Sequence, residues 1–510
     1  MKKLASILLV FCVATGLWAD VHISVGDPES WSTQQLSSYL GQTVIFDCPI
    51  VVCSNAGGNY RVGPWRMFQP QNQGVMGSKE YNLATHINGS CTFTLSGISG
   101  YHRCGEKIYN LKATVNSTSS LTFVSGTWNG NTRADLEAAL PDLGDYRLLV
   151  CGFNLENYFV EHIGSQYLGP DTYAEHQTQR KKVSNALKKI NADVFGLVEL
   201  EQGNAAIQEI VSDLNQNLPG RNYQFFSDAS SGTSQKSDFV YDANKVEPIG
   251  LPVEINTEIA LRKRMICFRE KETGEKFIYS INHFKAMNTG DEYRRVNEAT
   301  AVVDYYKKYY QNPSVRDKDV LFMGDLNCYA KTEPVFVFTN NGMIDLHRAF
   351  HADSSYSYMF GGLASYIDHA LCNETMYGQI TGMSAYHINS DEDDRYTYDG
   401  KWSDNTMFRC SDHDPVLVGL KLDSTLVYDP SPRINSADIQ SGEGGLLVIR
   451  NAHKEGQKSF YAIYNISGLL LDRQEIMSAY YEVELPQQTG VYIVYVYFDG
   501  QAKQMKMIVR

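Results

Sequence analysis

Between residues 145 and 425 the chain alternates apolar runs of strand length with longer segments in which apolar residues recur every three or four positions. YRLLVCGFN, DVFGLVE, KFIYSINH, DVLFMGDLN and VLVGLKL are nearly continuous apolar runs, as expected of strands covered on both faces. In AEHQTQRKKVSNALKKIN, Val183, Ala186, Leu187 and Ile190 fall on one helical face. This alternation predicts an α/β domain over 145–425. Residues 20–135 read differently, rich in Gly, Ser, Asn and Thr with short alternating runs such as TVIFD and CTFTLSGI, and they predict a small antiparallel β domain. VYDPSPRINSADIQSGEGG breaks the pattern again and predicts a linker over 426–440, followed by a last β-rich module over 441–510.

The opening MKKLASILLVFCVATGLWAD carries Lys2 and Lys3, an apolar run from Leu4 to Leu17 and Ala19, the build of a secretory signal over 1–19 cleaved near Asp20. No later run is long enough to cross a membrane. Of 10 cysteines, Cys12 falls in the leader, and in an oxidising compartment the close pairs Cys48/Cys53 and Cys91/Cys104 are the expected bridges. CPIVVC as a metal site lacks its companion CxxC or HxxxH. A net charge of -13 argues against holding nucleic acid on a broad basic face, but not against cutting it with a metal between acidic residues and phosphate.

The chemistry collects where the apolar runs of the middle region end: at Asn154, Glu199, His283, Asp325 and Asn327. SYIDHAL adds Asp368 and His369, and CSDHDPV adds Asp412, His413 and Asp414 just before VLVGLKL. A single Asp or Asn after a strand is ordinarily a turn residue or helix cap, and a lone His is ordinarily a hydrogen-bonded structural group. A whole set of strand ends bearing only carboxylate, carboxamide and imidazole points instead to a hard-metal site with acid/base groups for phosphate hydrolysis.

FNLEN (153–157), ADVFGLVELE (192–201), INHFKA (281–286), GDLN (324–327), SYIDHAL (365–371) and SDHDPV (411–416) occur in the order found in the endonuclease/exonuclease/phosphatase superfamily, which includes deoxyribonuclease I, and the middle domain resembles that group throughout. NHFKA and HINSDE (387–392) are most similar to secreted bacterial nucleases, which often carry an OB-like domain where this chain has residues 20–135. The resemblance implies a four-layer α/β sandwich of the deoxyribonuclease I-like type. It implies an extracellular phosphodiesterase acting on nucleic acid, DNA before RNA and by internal cuts, with Mg2+ or Mn2+ as cofactor. Glu199 is then the principal metal ligand with Asn154 beside it, and Asp412 binds metal directly or through water. Asp325 and Asn327 position water and phosphate, His283 and His413 serve acid/base and transition-state roles, and Asp368 orients His413. Arg262, Arg264 and Lys285 are the expected phosphate contacts, with Arg294 and Arg295 weaker candidates. Two departures stand out: Asp242 occupies a position where the family usually has a basic residue, and the acidic partner of the first histidine has only Asp238 as a candidate.

The C-terminal module resembles a type IX secretion sorting domain through YNISG (464–468), LPQQTGVYIV (485–494) and the basic Lys503, Lys506 and Arg510. That implies a route through the periplasm, by the type IX secretion machinery, to the cell surface or beyond. The rival functions are a phosphomonoesterase or a lipid phosphodiesterase of the same superfamily, such as an inositol phosphatase or a sphingomyelinase, and a catalytically dead adhesin. A lipid enzyme calls for an exposed aromatic hairpin; YSYMF (356–360) is the nearest stretch and a doubtful one.

Overall fold

The computed structural model describes residues 21–423 and, beyond them, 438–441, 446–450, 459–465, 470–476, 480–484, 490–498 and 501–509. The signal expected over 1–19, most of the linker, most of YNISG, LPQQT and Arg510 lie outside the described residues.

The N-terminal region is a seven-stranded sheet of β1 (Val21–Ile23), β2 (Thr43–Phe46), β3 (Ile50–Ser54), β4 (Tyr60–Gly63), β5 (Phe93–Ser96), β6 (Lys107–Ser117) and β7 (Ser120–Asn129). Its order is β1-β2-β6-β3-β4-β5-β7, and β7 pairs again with β6, so β3, β4, β5, β7 and β6 close into a ring. Alternation builds it: in β5, Phe93 and Leu95 point inward while Thr94 and Ser96 face water. The expected cysteine bridges are not formed, and all nine described cysteines are free. Cys53 donates from Sγ to Trp65 O at 3.4 Å, and Cys91 to Trp31 O at 3.2 Å. Burial pushes both thiols up to about 11, which keeps them protonated. Closeness along the chain did not set where these side chains point: Cys53 and Cys91 each face a backbone carbonyl.

Two six-stranded sheets follow. Their strands are β8 (Leu148–Tyr158), β9 (Val194–Glu201), β10 (Tyr223–Phe225), β11 (Gln235–Asp242), β12 (Val246–Glu254), β13 (Lys263–Glu270), β14 (Lys276–Asn282), β15 (Val320–Asp325), β16 (Ile344–Asp345), β19 (Asp368–Cys372), β20 (Ile380–Ala385) and β21 (Val416–Leu420), with a hairpin of β17 (Tyr358–Phe360) and β18 (Leu363–Ser365) apart from them. One sheet runs β10-β11-β9-β8-β21-β20 and the other β12-β13-β14-β15-β19-β16. Leu148 and Val150 of β8 share one core with Leu321 and Met323 of β15, which packs sheet on sheet. The intervening Leu149, Cys151 and Phe153 pack instead with Val183, Ala186 and Ile210 of the helices Tyr173–Ile190 and Ala205–Asn217. Val320 and Phe322 pack with Val302, Val335 and Phe338 of the helices Glu292–Tyr309 and Glu333–Asn340. Helix, sheet, sheet and helix are the four layers that the family resemblance implies.

Each sheet contains one parallel pair, β8 with β9 and β14 with β15, and each pair is joined by a long helix. Parallel neighbours require such a crossover. The carboxyl ends of both pairs carry the polar residues singled out above, the usual place for a ligand in open α/β sheets. The C-terminal strands form a three-stranded sheet (Asp438–Ser441, Leu446–Arg450, Tyr480–Glu484) and a four-stranded one (Leu470–Glu475, Phe460–Asn465, Gly490–Phe498, Gln501–Val509). Among the described residues no helix is long and apolar enough to cross a membrane.

Candidate active site

Irregular backbone at the strand ends aims the site residues. In β9, Leu200 pairs with Lys236 and Leu197 with Asp238, so Val198 and Glu199 together face the single residue Ser237. This bulge sets Glu199 at φ 62°, a left-handed conformation that a glutamate adopts only under constraint, and such bulges re-aim side chains beside active sites. Asn157 N donates to Glu199 Oε2 at 3.0 Å and holds the carboxylate in place. At the end of β15, Gly324 has φ +119°, and a Cβ there would lie 2.1 Å from Asn282 O of β14. The glycine of GDLN therefore allows the close approach that sets Asp325 beside His283.

Asp325 is the hub. Its carboxylate accepts from Asn327 N at 2.8 Å, Asn327 Nδ2 at 3.1 Å and Asn154 Nδ2 at 3.2 Å. His283 Nε2 stands 3.5 Å from Glu199 Oε1 and 3.8 Å from Asp325 Oδ2. Across the cleft, His413 Nδ1 bonds Asp368 Oδ2 at 2.8 Å, and Ser357 Oγ donates to that same oxygen at 2.7 Å. Donor atoms of Glu199, His283 and Asp325 all lie within 4.8 Å of one another, as do those of Asp325, Asp368 and His413.

Burial and crowding perturb these groups strongly. Burial, with Asp368 and Glu199 adding repulsion and His413 opposing, pushes Asp325 up to about 8. Glu199 is raised by burial and by the charge of Asp412. Burial disfavours a charged His413, yet Asp368, Asp412 and Asp325 hold it well above the ordinary histidine value. His283 moves the other way, lowered well below that value by burial and then by Arg262 and His413.

The chain matches the Endonuclease/Exonuclease/phosphatase family over residues 151–413, just over half its length. It belongs to that family. Solved structures of similar fold include an endonuclease/exonuclease/phosphatase from Bacteroides vulgatus (16% identity, TM-score 0.39, covering 54% of this chain and 99% of that one). A mannosyl-6-phosphatase from Bacteroides thetaiotaomicron shows 20% identity and a TM-score of 0.38, covering 54% of this chain and 100% of that one. The human Nocturnin catalytic domain with bound sulfate shows 14% and 0.41, covering 56% and 97%. No curated protein matches the chain. As an endonuclease/exonuclease/phosphatase family protein, it is a hydrolase of phosphate or phosphodiester bonds.

The fold brings together Asn154, Glu199, His283, Asp325, Asn327, Asp368 and His413. Asp412 lies at the rim, its Oδ1 3.8 Å from His413 Nε2 and its side chain about a third exposed, at 32%. Arg262 reaches the site indirectly: it bonds Gln235, which bonds Asn157, the residue that holds Glu199. Lys285 lines a cavity of about 280 Å3 together with Asn256, Glu258 and Arg294. Arg264 is not brought to the site, because its guanidinium is committed to Asp228 at 3.2 Å and Asp238 at 2.8 Å. Asp238 is likewise not the partner of His283: Lys236 Nζ holds it at 2.8 Å, and His283 Nδ1 is buried without a hydrogen-bond partner. Asp242 pairs with Arg221 at 2.9 Å and has a structural role. Arg295 donates to Lys285 O at 3.3 Å and Ala286 O at 3.2 Å, supporting the loop after His283. Two residues escaped the sequence reading. Glu156 of FNLEN is pushed up to about 8 by burial and by Asp412, and Tyr358 of YSYMF lies with its ring 4.7 Å from that of His413.

Family members use a divalent metal, and the side chains here fit one. Asp325 is buried and Glu199 and Glu156 are half-buried, and the raised proton affinity of all three carboxyls reflects negative charge crowded away from water, the condition a cation relieves. Oxygen donors predominate, and no cysteine belongs to either cluster of potential ligands. Glu199 with Asn154 is the better place for the ion, since Asp368 and His413 already satisfy one another.

Proposed function

We propose that the protein is a secreted, divalent-metal-dependent nuclease that cuts phosphodiester bonds within DNA. The observation that carries this reading is the meeting of Glu199, His283 and Asp325 with the Asp368–His413 pair at one cleft between two sheets. Glu199, with Asn154 and Asp412 nearby, would hold Mg2+ or Mn2+, which when bound offsets the charge that builds on the phosphorus centre. Asp325 and Asn327 form the cradle that positions the attacking water. His413, kept protonated by Asp368, is suited to stabilise a phosphate oxygen or to give a proton to the departing one. His283, kept neutral, is suited to accept a proton. Arg262, linked to Glu199 through Gln235 and Asn157, would add positive charge near the phosphate, and Lys285 would add it two residues beyond His283.

The wider assignment belongs to the same proposal: a leader over 1–19, an OB-like domain over 20–135, the nuclease over 145–425, a linker over 426–440 and a type IX sorting domain over 441–510. The closed five-strand ring supports the OB-like part. Deleting 430–510 should then leave an active enzyme retained in the periplasm, which fractionation would detect.

One feature favours a second reading, a lipid phosphodiesterase: Phe360 at the tip of the β17–β18 hairpin is 70% exposed beside the site. Incubating the purified protein with circular plasmid, linear DNA, RNA and sphingomyelin, with and without EDTA, separates the two. EDTA-sensitive opening of the plasmid is expected, and turnover of sphingomyelin in preference to DNA would replace the nuclease reading.

A further inference from the structure

Backbone hydrogen bonds join the N-terminal region to the β17–β18 hairpin of the catalytic domain. Gln69 N donates to Ala364 O at 2.9 Å, and Ala364 N donates to Met67 O at 3.0 Å. Ala364 lies in β18, whose neighbour Ser365 pairs with Tyr358 of β17, and Tyr358 forms an antiparallel bridge with His413. Asp414 N completes the pairing by donating to Ser357 O at 2.7 Å. The result is a continuous ribbon of four segments: 67–69, β18, β17 and 413–414. Side chains follow the same route. Met359 packs against the core of the ring, and Ser357 bonds the Asp368 oxygen that also holds His413.

A second connection starts one residue earlier. Arg66 pairs with Asp391 at 2.5 Å, and its guanidinium lies 4.3 Å from the centre of the Tyr356 ring. Tyr356 donates its hydroxyl to Asp391 at 2.8 Å and stacks on His387 at 3.8 Å between ring centres. His387 Nδ1 then lies 2.9 Å from Asp414 Oδ2. Asp414 also accepts from Asn389 N at 2.8 Å and Ser390 N at 2.9 Å. Burial would raise the Asp391 carboxyl, but Arg66, followed by His387 and Arg103, brings it below the ordinary range, so it stays charged and anchored. Both routes leave the N-terminal region from Arg66–Gln69 and arrive at His413 and Asp414.

We propose that Arg66–Gln69 is a positioning element of the active site, holding the loop that presents His413 to Asp368, so that the N-terminal β region forms one catalytic unit with the hydrolase and is not a detachable binding module. The kinetic part of its test rests on the phosphoesterase reading. Gln69 has φ −61°, the value proline imposes, and Phe68 sits in a β-bridge, the extended state a following proline requires. Gln69→Pro therefore removes the N–H that bonds Ala364 while leaving the chain path intact, whereas Gln69→Ala keeps that N–H and removes only side-chain contacts.

In the full-length protein, Gln69→Pro should lower kcat on bis-p-nitrophenyl phosphate by ~10- to 100-fold with KM near the wild-type value, as a small misplacement of a reacting group does. Gln69→Ala should retain more than half of the wild-type kcat. Hydrogen exchange in peptides covering 355–360 and 410–416 should quicken in the proline variant alone. A lowered melting temperature with kcat per folded molecule equal to that of Gln69→Ala, and exchange unchanged in 410–416, would overturn the proposal. Should Gln69→Pro fail to fold, Arg66→Lys gives the same test, because lysine keeps the charge but cannot lay a planar fork on Tyr356; unchanged exchange over 410–416 in that variant counts equally against the idea. If the wild type hydrolyses no phosphoester, the functional reading fails, and the exchange comparison still decides the positioning role.

Discussion

His283 and His413 sit across one cleft, on the ends of opposing sheets, yet they are held in opposite ways. His413 is fixed on several sides: by Asp368 at Nδ1, by the ring of Tyr358 and by backbone pairing to the hairpin. His283 has a buried Nδ1 with no partner, and only carboxylates at 3.5 Å and 3.8 Å beyond its Nε2. One imidazole is thereby kept charged and the other neutral. Groups whose surroundings push their proton affinities apart are the usual basis for separate acid and base roles; here burial opposes charge on both rings, and the carboxylates around His413, Asp368 foremost, overcome it there, while Arg262 and His413 add to it at His283.

The strongest way to break this comparison is to remove the anchored histidine. His413→Ala should lower kcat by ~10²- to 10⁴-fold while KM changes little, measured by steady-state kinetics on a phosphodiester. Asp368→Asn should cost less, about 10²-fold, and added to His413→Ala it should cost far less than it does alone, because members of one catalytic unit are not additive. Full additivity would show that the two residues act separately. Next comes the pH profile. With His283 titrating well below and His413 well above the ordinary histidine value, kcat/KM should show a broad plateau around neutrality. Asp368 raises His413, so Asp368→Asn should move the alkaline limb toward lower pH, narrowing the plateau from that side only.

The smallest effect concerns protons and metal. Burial, with repulsion from Asp368 and Glu199, raises the Asp325 carboxyl to about 8, so without a cation it holds a proton far more tightly than an ordinary aspartate. Binding a divalent ion beside it should release protons near pH 7, read as a dependence of the calorimetric heat on buffer ionisation. Stability linkage has a definite sign: a carboxyl raised on folding contributes stability at low pH that is lost as pH climbs from 3.8 toward 8. The melting temperature of the metal-free protein should receive a falling contribution across that range, and added Mg2+ or Mn2+ should offset it increasingly toward the alkaline end.

The residues that were legible in the sequence share one property: they lie at or close to an end of a buried strand. Glu199, His283 and Asp325 could be placed because the apolar runs DVFGLVE, KFIYSINH and DVLFMGD each stop on a polar side chain; the same runs announce an α/β domain, and its four layers came from the family resemblance. What was not legible depends on direction or on segments distant in sequence. Asp238 lies on a strand beside Glu199, yet Lys236 and Arg264 claim its carboxylate. Arg264 sits two residues from Arg262 but is drawn to Asp228 and Asp238. Glu156, half-buried, stands where FNLEN passes through left-handed residues at 156 and 157, a turn that no local pattern announces. Tyr358 matters through a pairing with His413 that no local pattern announces. The cysteine pairs failed for the same reason, since closeness along the chain leaves side-chain direction open.

At Gly324, the atom that is missing does the work. Because a Cβ would stand 2.1 Å from Asn282 O, the spacing between the strands carrying His283 and Asp325 tolerates no side chain there. Across a library of every single substitution, position 324 should therefore accept one amino acid of the twenty, while its neighbour Met323, an apolar side chain within the inter-sheet core, accepts several of similar volume. The narrowest constraint on drift in this enzyme would then fall on a residue that touches neither substrate nor metal.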